Sequence, residues 1–233
     1  MSYYYNDNGG RRRFLGNVPR VTRNLIIINI ILFIAVFIAT KKMPPMARGR
    51  VPDAITQYFG LFALASGNFH IWQPLTCMFL HDGTSIWHIL FNMYTLYIFG
   101  PVVERMIGER KFLTFYLACG LGASATQILA ELIFGPSFLV SVGASGAIYG
   151  LLVAYAMLFP ESKLTLIFPP VTLSAKWMVI VFAGIEVFFE LIGSLSTFAD
   201  GIAHLAHLGG MLFGWLLIKY WKSRGTLFDR KDL

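Results

Sequence analysis

The chain has 233 residues, 56% hydrophobic and only 13% charged, with a formal net charge of +7. An ordinary soluble domain carries about a quarter charged residues, so this composition fits one compact membrane domain and argues against a soluble globule. Two cysteines, Cys77 and Cys119, give neither a disulfide framework nor a metal-ligand spacing.

In chain order, residues 1–23 read as a polar, basic tail carrying Arg11, Arg12, Arg13, Arg20 and Arg23. No cleavable signal peptide is evident in it. A spanning helix needs about 20 mostly apolar residues, and six stretches qualify: 24–40, 84–102, 112–134, 142–160, 174–193 and 202–221. The segment 41–83 mixes prolines, charges and short apolar pieces, and reads as a long first loop with short interfacial helices. Residues 222–233 form a second polar tail. The expected fold is therefore an all-α integral membrane bundle of six helices over 24–221. With a cytoplasmic N-terminus, the inner segments hold 15 of the 19 Lys and Arg, and the 41–83 loop holds the other four. That positive-inside bias places both termini in the cytoplasm, and it accounts for the positive charge through orientation, with no nucleic acid partner. Short tails without an organelle-targeting signal point to a bacterial inner membrane.

Polar groups inside membrane helices are costly and are functional candidates. The second predicted helix carries His88 and Asn92, the fourth carries Ser145, and the sixth carries His204 and His207. Each lies near the outer end of its helix, within roughly 5–12 Å of the boundary at ~1.5 Å per residue. Gly146, Gly150 and Ala154 form a ridge of small residues beside Ser145, and Gly210 and Gly214 form another below His207. Such ridges let helices approach closely in lipid, which would bring hydroxyl and imidazole together. A serine needs a base to become a nucleophile, and histidine suits that task. His88 and Asn92, at i and i+4, share a face and can donate to a developing oxyanion. The Ser145 backbone N–H, opening its helix, is a further donor. Gly143 and Gly146 leave room for a substrate carbonyl. At this stage either His204 or His207 could be the base. A serine alone in a membrane helix is more often packing, and a lone histidine is more often a structural hydrogen-bonder; the shared depth is what favours catalysis. Ser141 reads as a helix-entry residue.

The sequence resembles the rhomboid intramembrane proteases. Gly143-Ala144-Ser145-Gly146 matches the family's GxSG motif, which implies that Ser145 is the nucleophile. Ala206-His207-Leu208-Gly209-Gly210 matches its AHxxG stretch and selects His207 as the base, with His204 the alternative. His88-Ile89-Leu90-Phe91-Asn92 matches HxxxN, whose two polar residues bind the oxyanion, and Tyr149 matches a tyrosine that stacks on the catalytic histidine. Gly100, Glu104 and Gly108 resemble a structural GxxxExxxG motif. Gln73 stands where many members have arginine after tryptophan, which puts that arginine's hydrogen bonds in question. No carboxylate occupies an obvious third triad position, in keeping with the family's Ser–His dyad.

The resemblance implies hydrolysis of peptide bonds in or beside transmembrane segments of other membrane proteins, within lipid and with no cofactor or metal. Small residues near the cleavage site and helix-destabilising residues below it are expected to be favoured. The fifth helix and the loop near 194–201 are the expected gate. Two other readings compete. One is an inactive rhomboid-like binding protein, which the presence of both Ser145 and His207 disfavours. The other is a proton-coupled transporter or metal carrier, using Glu186 and Glu190 on the fifth helix, Glu131 on the third, or the two histidines of the sixth. Against it, Glu190 and Glu131 lie near the water boundary, where hydrogen bonding to neighbouring helices is the simpler account.

Overall fold

The computed structural model describes residues 18–49, 51–135, 140–166, 170–195 and 201–228. The arginines at 11–13, residues 196–200 of the expected gate loop and the side chain of Glu190 lie outside the described residues. Six helices stand at the six expected positions: α1 (Arg20–Lys42), α4 (Ile86–Ile107), α5 (Glu109–Phe134), α6 (Ser145–Leu158), α7 (Ala175–Leu195) and α8 (Gly201–Ser223). Two single-turn helices, α2 (Ala54–Phe59) and α3 (Gln73–Thr76), lie in the first loop. A short antiparallel hairpin, β1 (Lys163–Thr165) with β2 (Thr172–Ser174), precedes α7. That hairpin is not legible in the sequence, because three-residue strands are too short to show a period.

By length and composition, α1, α4 and α5 are each able to cross a membrane. Their outward faces are apolar and exposed, as at Ile31, Ile34, Phe91 and Leu132, which suits lipid as solvent. The helix ends depart from expectation in two informative places. Helix α4 runs through Pro101 and stops only at Gly108, whose φ of +83° ends the helix. Proline is tolerated inside a membrane helix when neighbouring groups take up the freed backbone. Helix α6, expected over 142–160, has only 14 residues, because Gly143 at φ +138° cannot continue it toward the N-terminus. At ~1.5 Å per residue it is about 21 Å long, against a hydrocarbon core of about 30 Å.

One end of the bundle is closed by a buried carboxylate. Glu104 accepts hydrogen bonds from the backbone N–H groups of Val21 and Thr22 (2.9 and 2.7 Å) and from the Thr22 hydroxyl (2.6 Å). First-turn N–H groups have no intrahelical acceptor and carry the positive end of the helix dipole. An anionic side chain from α4 therefore caps α1. Close by, Lys111 at the start of α5 donates to the Thr226 carbonyl after α8. The described start and end of the chain thus lie at the same end of the bundle.

The buried apolar core lies among α1, α4, α5 and α6, and α6 meets α8 through glycines. A Cβ placed on Gly210 would sit 2.0 Å from the Gly146 carbonyl oxygen, and one on Gly214 would sit 2.8 Å from that of Gly150. On the other side, α5 presses against α8, with Phe213 over Gly122 and Thr126 over Gly209. Backbone touches backbone, which only glycine allows. Gly210→Ala is expected to destabilise the fold by about 1–3 kcal/mol through overpacking, and to separate Ser145 from His207. Thermal unfolding in detergent, read beside cleavage of a reporter, checks this; an unchanged melting temperature would refute the close packing.

Candidate active site

The glycine contact between α6 and α8 decides what stands above it. Ser145 is the first residue of α6 and His207 lies in the second turn of α8. Their side chains meet, with Ser145 Oγ 2.8 Å from His207 Nε2. His204 does not make this contact; its Nδ1 is bonded to Glu186 on α7. The Tyr149 ring, one turn below Ser145, stacks on the His207 imidazole at 4.5 Å and 13°. It fixes the plane of the ring.

The oxyanion side is built from α4 and the first loop. The Asp82 backbone N–H donates to His88 Nδ1 at 3.3 Å. A neutral imidazole that accepts at Nδ1 carries its proton on Nε2. That nitrogen faces Gly143: a Cβ there would lie 3.0 Å from His88 Nε2 and 3.5 Å from Ser145 Oγ. The missing side chain leaves a space between donor and hydroxyl about the size of a carbonyl oxygen. Asn92 is less committed than the sequence suggested. Its amide donates to the His88 carbonyl on its own helix at 2.8 Å, and it does not line the cavity that holds the other site residues.

That cavity has a volume of about 680 Å³ and is lined by Asp82, His88, Ser124, Gln127, Ser145 and His207, among others. The polar side chains of Asp82, Ser124 and Gln127 within it offer hydrogen-bond partners to water. The first loop roofs it. Leu61 and Ser141 pair through both backbone groups at 2.9 Å, the Ser124 hydroxyl donates to the Pro74 carbonyl at 2.9 Å, and the Gly143 N–H donates to the Cys77 carbonyl at 3.0 Å. Ser141 is therefore a loop anchor, four residues before α6 begins, and its hydroxyl accepts from Gln127 at 2.6 Å. Gln73 is fully buried and takes over the tying role in question at that position. It donates to the Asn68 carbonyl at 2.9 Å and the Tyr58 carbonyl at 3.4 Å, and accepts from the Phe62 N–H at 3.3 Å.

The structure departs from the sequence reading at Glu186. This buried carboxylate of α7 accepts from the Tyr149 hydroxyl and pairs with His204 Nδ1. It also lies 3.2 Å from His207 Nδ1, at an angle too bent for a strong hydrogen bond. A carboxylate thus stands as a third group beside the serine and histidine. The sequence offered only a weak signal for it, an acidic residue on the apolar fifth helix. Among the described residues, Glu186, His204 and His207 also bring three metal-ligand atoms within 4.8 Å of one another. His204 Nδ1 is hydrogen-bonded to Glu186 Oε2, while His207 Nδ1 stands 3.2 Å from Oε1 of the same carboxylate.

Comparison with known proteins shows the family to which the chain belongs. The family model for the Rhomboid domain matches residues 68–224. The rat presenilin-associated rhomboid-like protein, mitochondrial, is 33% identical over 152 residues, covering 61% of this chain and 38% of that protein. Yeast rhomboid protein 1, mitochondrial, is 32% identical over 149 residues, covering 57% and 38%. The Bacillus subtilis protein YdcA, whose name assigns it provisionally as a rhomboid protease, is 31% identical over 166 residues, covering 71% and 72%. The chain belongs to the rhomboid family of multi-pass integral membrane proteins. It spans 38% of the length of the mitochondrial relatives. Two of these relatives are named as mitochondrial and one is bacterial, so they do not select the bacterial inner membrane expected from the tails.

One buried group in the loop sets a pH limit. His81 is fully buried, stands edge-on to His88 at 5.2 Å, and neither ring nitrogen has a partner among the described residues. Burial, helped by the neighbouring His88, lowers its pKa from 6.5 to about 3. Between those values the unfolded chain binds a proton that the folded chain refuses. Stability should therefore be complete above pH 6.5 and fall as the pH drops toward 3, by at most about 1.4 kcal/mol per pH unit. In His81→Phe that part of the slope should vanish. Melting temperatures between pH 7.5 and 4.5 check it, and equal slopes in both proteins would refute it.

Proposed function

We propose that this protein is a serine endopeptidase that cleaves transmembrane segments of other membrane proteins, with Ser145 as nucleophile and His207 as general base. The observation that carries the proposal is the 2.8 Å contact between Ser145 Oγ and His207 Nε2 in the wall of a cavity of about 680 Å³. Six spans with both termini on the cytoplasmic side complete the reading.

The chemistry follows from the geometry. With a lone pair on Nε2, His207 takes the Ser145 proton as Oγ attacks the substrate carbonyl carbon. The carbonyl oxygen becomes an oxyanion in the space left by Gly143, within reach of His88 Nε2–H and the Ser145 backbone N–H. Asn92 supports His88 from one turn below. Collapse breaks the C–N bond, and the His207 imidazolium protonates the leaving amine. Water then attacks the acyl-Ser145 ester, giving its proton to His207, and the ester C–O bond breaks to restore the serine. The shortness of α6 sets this centre about 9 Å below the outer hydrocarbon boundary when the helix reaches the inner one. The cavity is the route by which water reaches that depth. A substrate helix must unwind to enter, because each carbonyl of an intact helix is already bonded.

Purified protein in proteoliposomes should cut a transmembrane reporter, and Ser145→Ala and His207→Ala should both fall to background while remaining folded. Cleavage by His207→Ala but not by His204→Ala would move the base. Failure of the wild type both to cut and to react with a fluorophosphonate would favour the inactive, binding reading. His88→Ala should lower kcat by about 10²–10³-fold, the usual cost of one oxyanion donor; a smaller loss than that of Asn92→Ala would reverse their order of importance. Substrates with Gly or Pro below the cleavage site should be cut faster than rigid poly-Leu helices. Equal rates would count against the unwinding step.

A further inference from the structure

We propose that Glu186 is a positioning residue of the same active site, making this a Ser145–His207–Glu186 arrangement rather than a bare dyad. The inference rests on the protease reading above and deepens it.

For His207 to accept the serine proton at Nε2, its other nitrogen must hold a proton, so Nδ1–H is the tautomer that catalysis needs. Glu186 Oε1 is the acceptor facing that nitrogen, at 3.2 Å. The bent approach is that of a resting site. Catalytic hydrogen bonds are commonly loose before substrate binds and tighten as charge develops. When His207 takes the proton it becomes an imidazolium, and the carboxylate beside it then forms a charge-assisted pair.

The remaining bonds of Glu186 hold it for this purpose. Its Oε1 also accepts from the Tyr149 hydroxyl, and its Oε2 pairs with His204 Nδ1. Tyr149 thus touches the site twice, with its ring against the face of His207 and its hydroxyl on the carboxylate that faces His207 Nδ1. Phe189, three residues further along α7, stacks on His204 at 5.6 Å and 19° and fixes that imidazole in turn. Glu186 is buried, whereas its neighbours Ile185, Val187 and Phe188 on α7 are all exposed. A carboxylate inside a membrane bundle is costly unless partnered. Tying α7 to α6 and α8 could be served by the bonds to Tyr149 and His204 alone. That simpler role does not require Oε1 to stand beside Nδ1 of the proposed base.

The test compares wild type with Glu186→Gln and Glu186→Asp in proteoliposomes, with Ser145→Ala run in parallel, reading kcat, KM, the rate of fluorophosphonate labelling and the melting temperature. Gln keeps the shape and removes the charge. It is expected to lower kcat and the labelling rate at least tenfold, and by up to about 10⁴-fold where the tautomer is lost, with KM within about twofold. Asp keeps the charge one methylene back and is expected to recover part of that loss. A Gln variant with wild-type kcat overturns the inference, and so does a Gln variant altered only in KM. If both variants lose folding rather than turnover, Glu186 is only a tie for α7 and the inference falls. If EDTA abolishes wild-type cleavage and zinc restores it, the Glu186–His204–His207 set is a metal site and the positioning role is overturned. Undiminished cleavage by Ser145→Ala would sink the protease reading itself. A dead Ser145→Ala beside a fully active Glu186→Gln would sink only the third residue.

Discussion

The direct contact of backbone with backbone where Gly146 and Gly150 meet Gly210 and Gly214 is the constraint on which the rest of the structure depends. A serine and a histidine 62 residues apart reach hydrogen-bond distance because the helices beneath them touch without side chains between them. In lipid there is little hydrophobic force to draw helices together, so close packing and polar contacts must do it. The same contact sets the stacking of Tyr149 on His207, since Tyr149 lies on α6 only four residues after Ser145.

A second layer of the design is in the first loop, which is not a mere connection. Its single-turn helices, the bonds of Gln73 and the Leu61–Ser141 pairing hold the Asp82 backbone where its N–H fixes the tautomer of His88. The chemistry on one side of the cavity is thus governed by α6, α7 and α8. On the other side it is governed by a loop bonded to α4 and α5. Substitutions far from the serine can alter reactivity through either route.

The long helices and the polar residues at their ends were legible in the sequence because apolar runs and out-of-place polar groups are strong signals in a membrane chain. The glycine ridges were legible too, since spacing alone shows which face is small. Three features were not. The shortness of α6, expected over 142–160, depended on the positive φ of Gly143, which a run of small residues does not reveal. The anchoring role of Ser141 depended on a partner 80 residues upstream. Glu186 was visible as an odd carboxylate, but its direction toward His207 depends on the rotation of α7 about its axis, which a uniformly apolar helix leaves unmarked. The sequence suggests for it only a use in transport, and disfavours that.

The capping of α1 by Glu104 has a mechanical consequence. Three hydrogen bonds join the first turn of α1 to the last turns of α4, and sliding or rotating α1 along its axis would break all three and leave a buried carboxylate without partners. Helix α1 is therefore locked in register and cannot act as a piston.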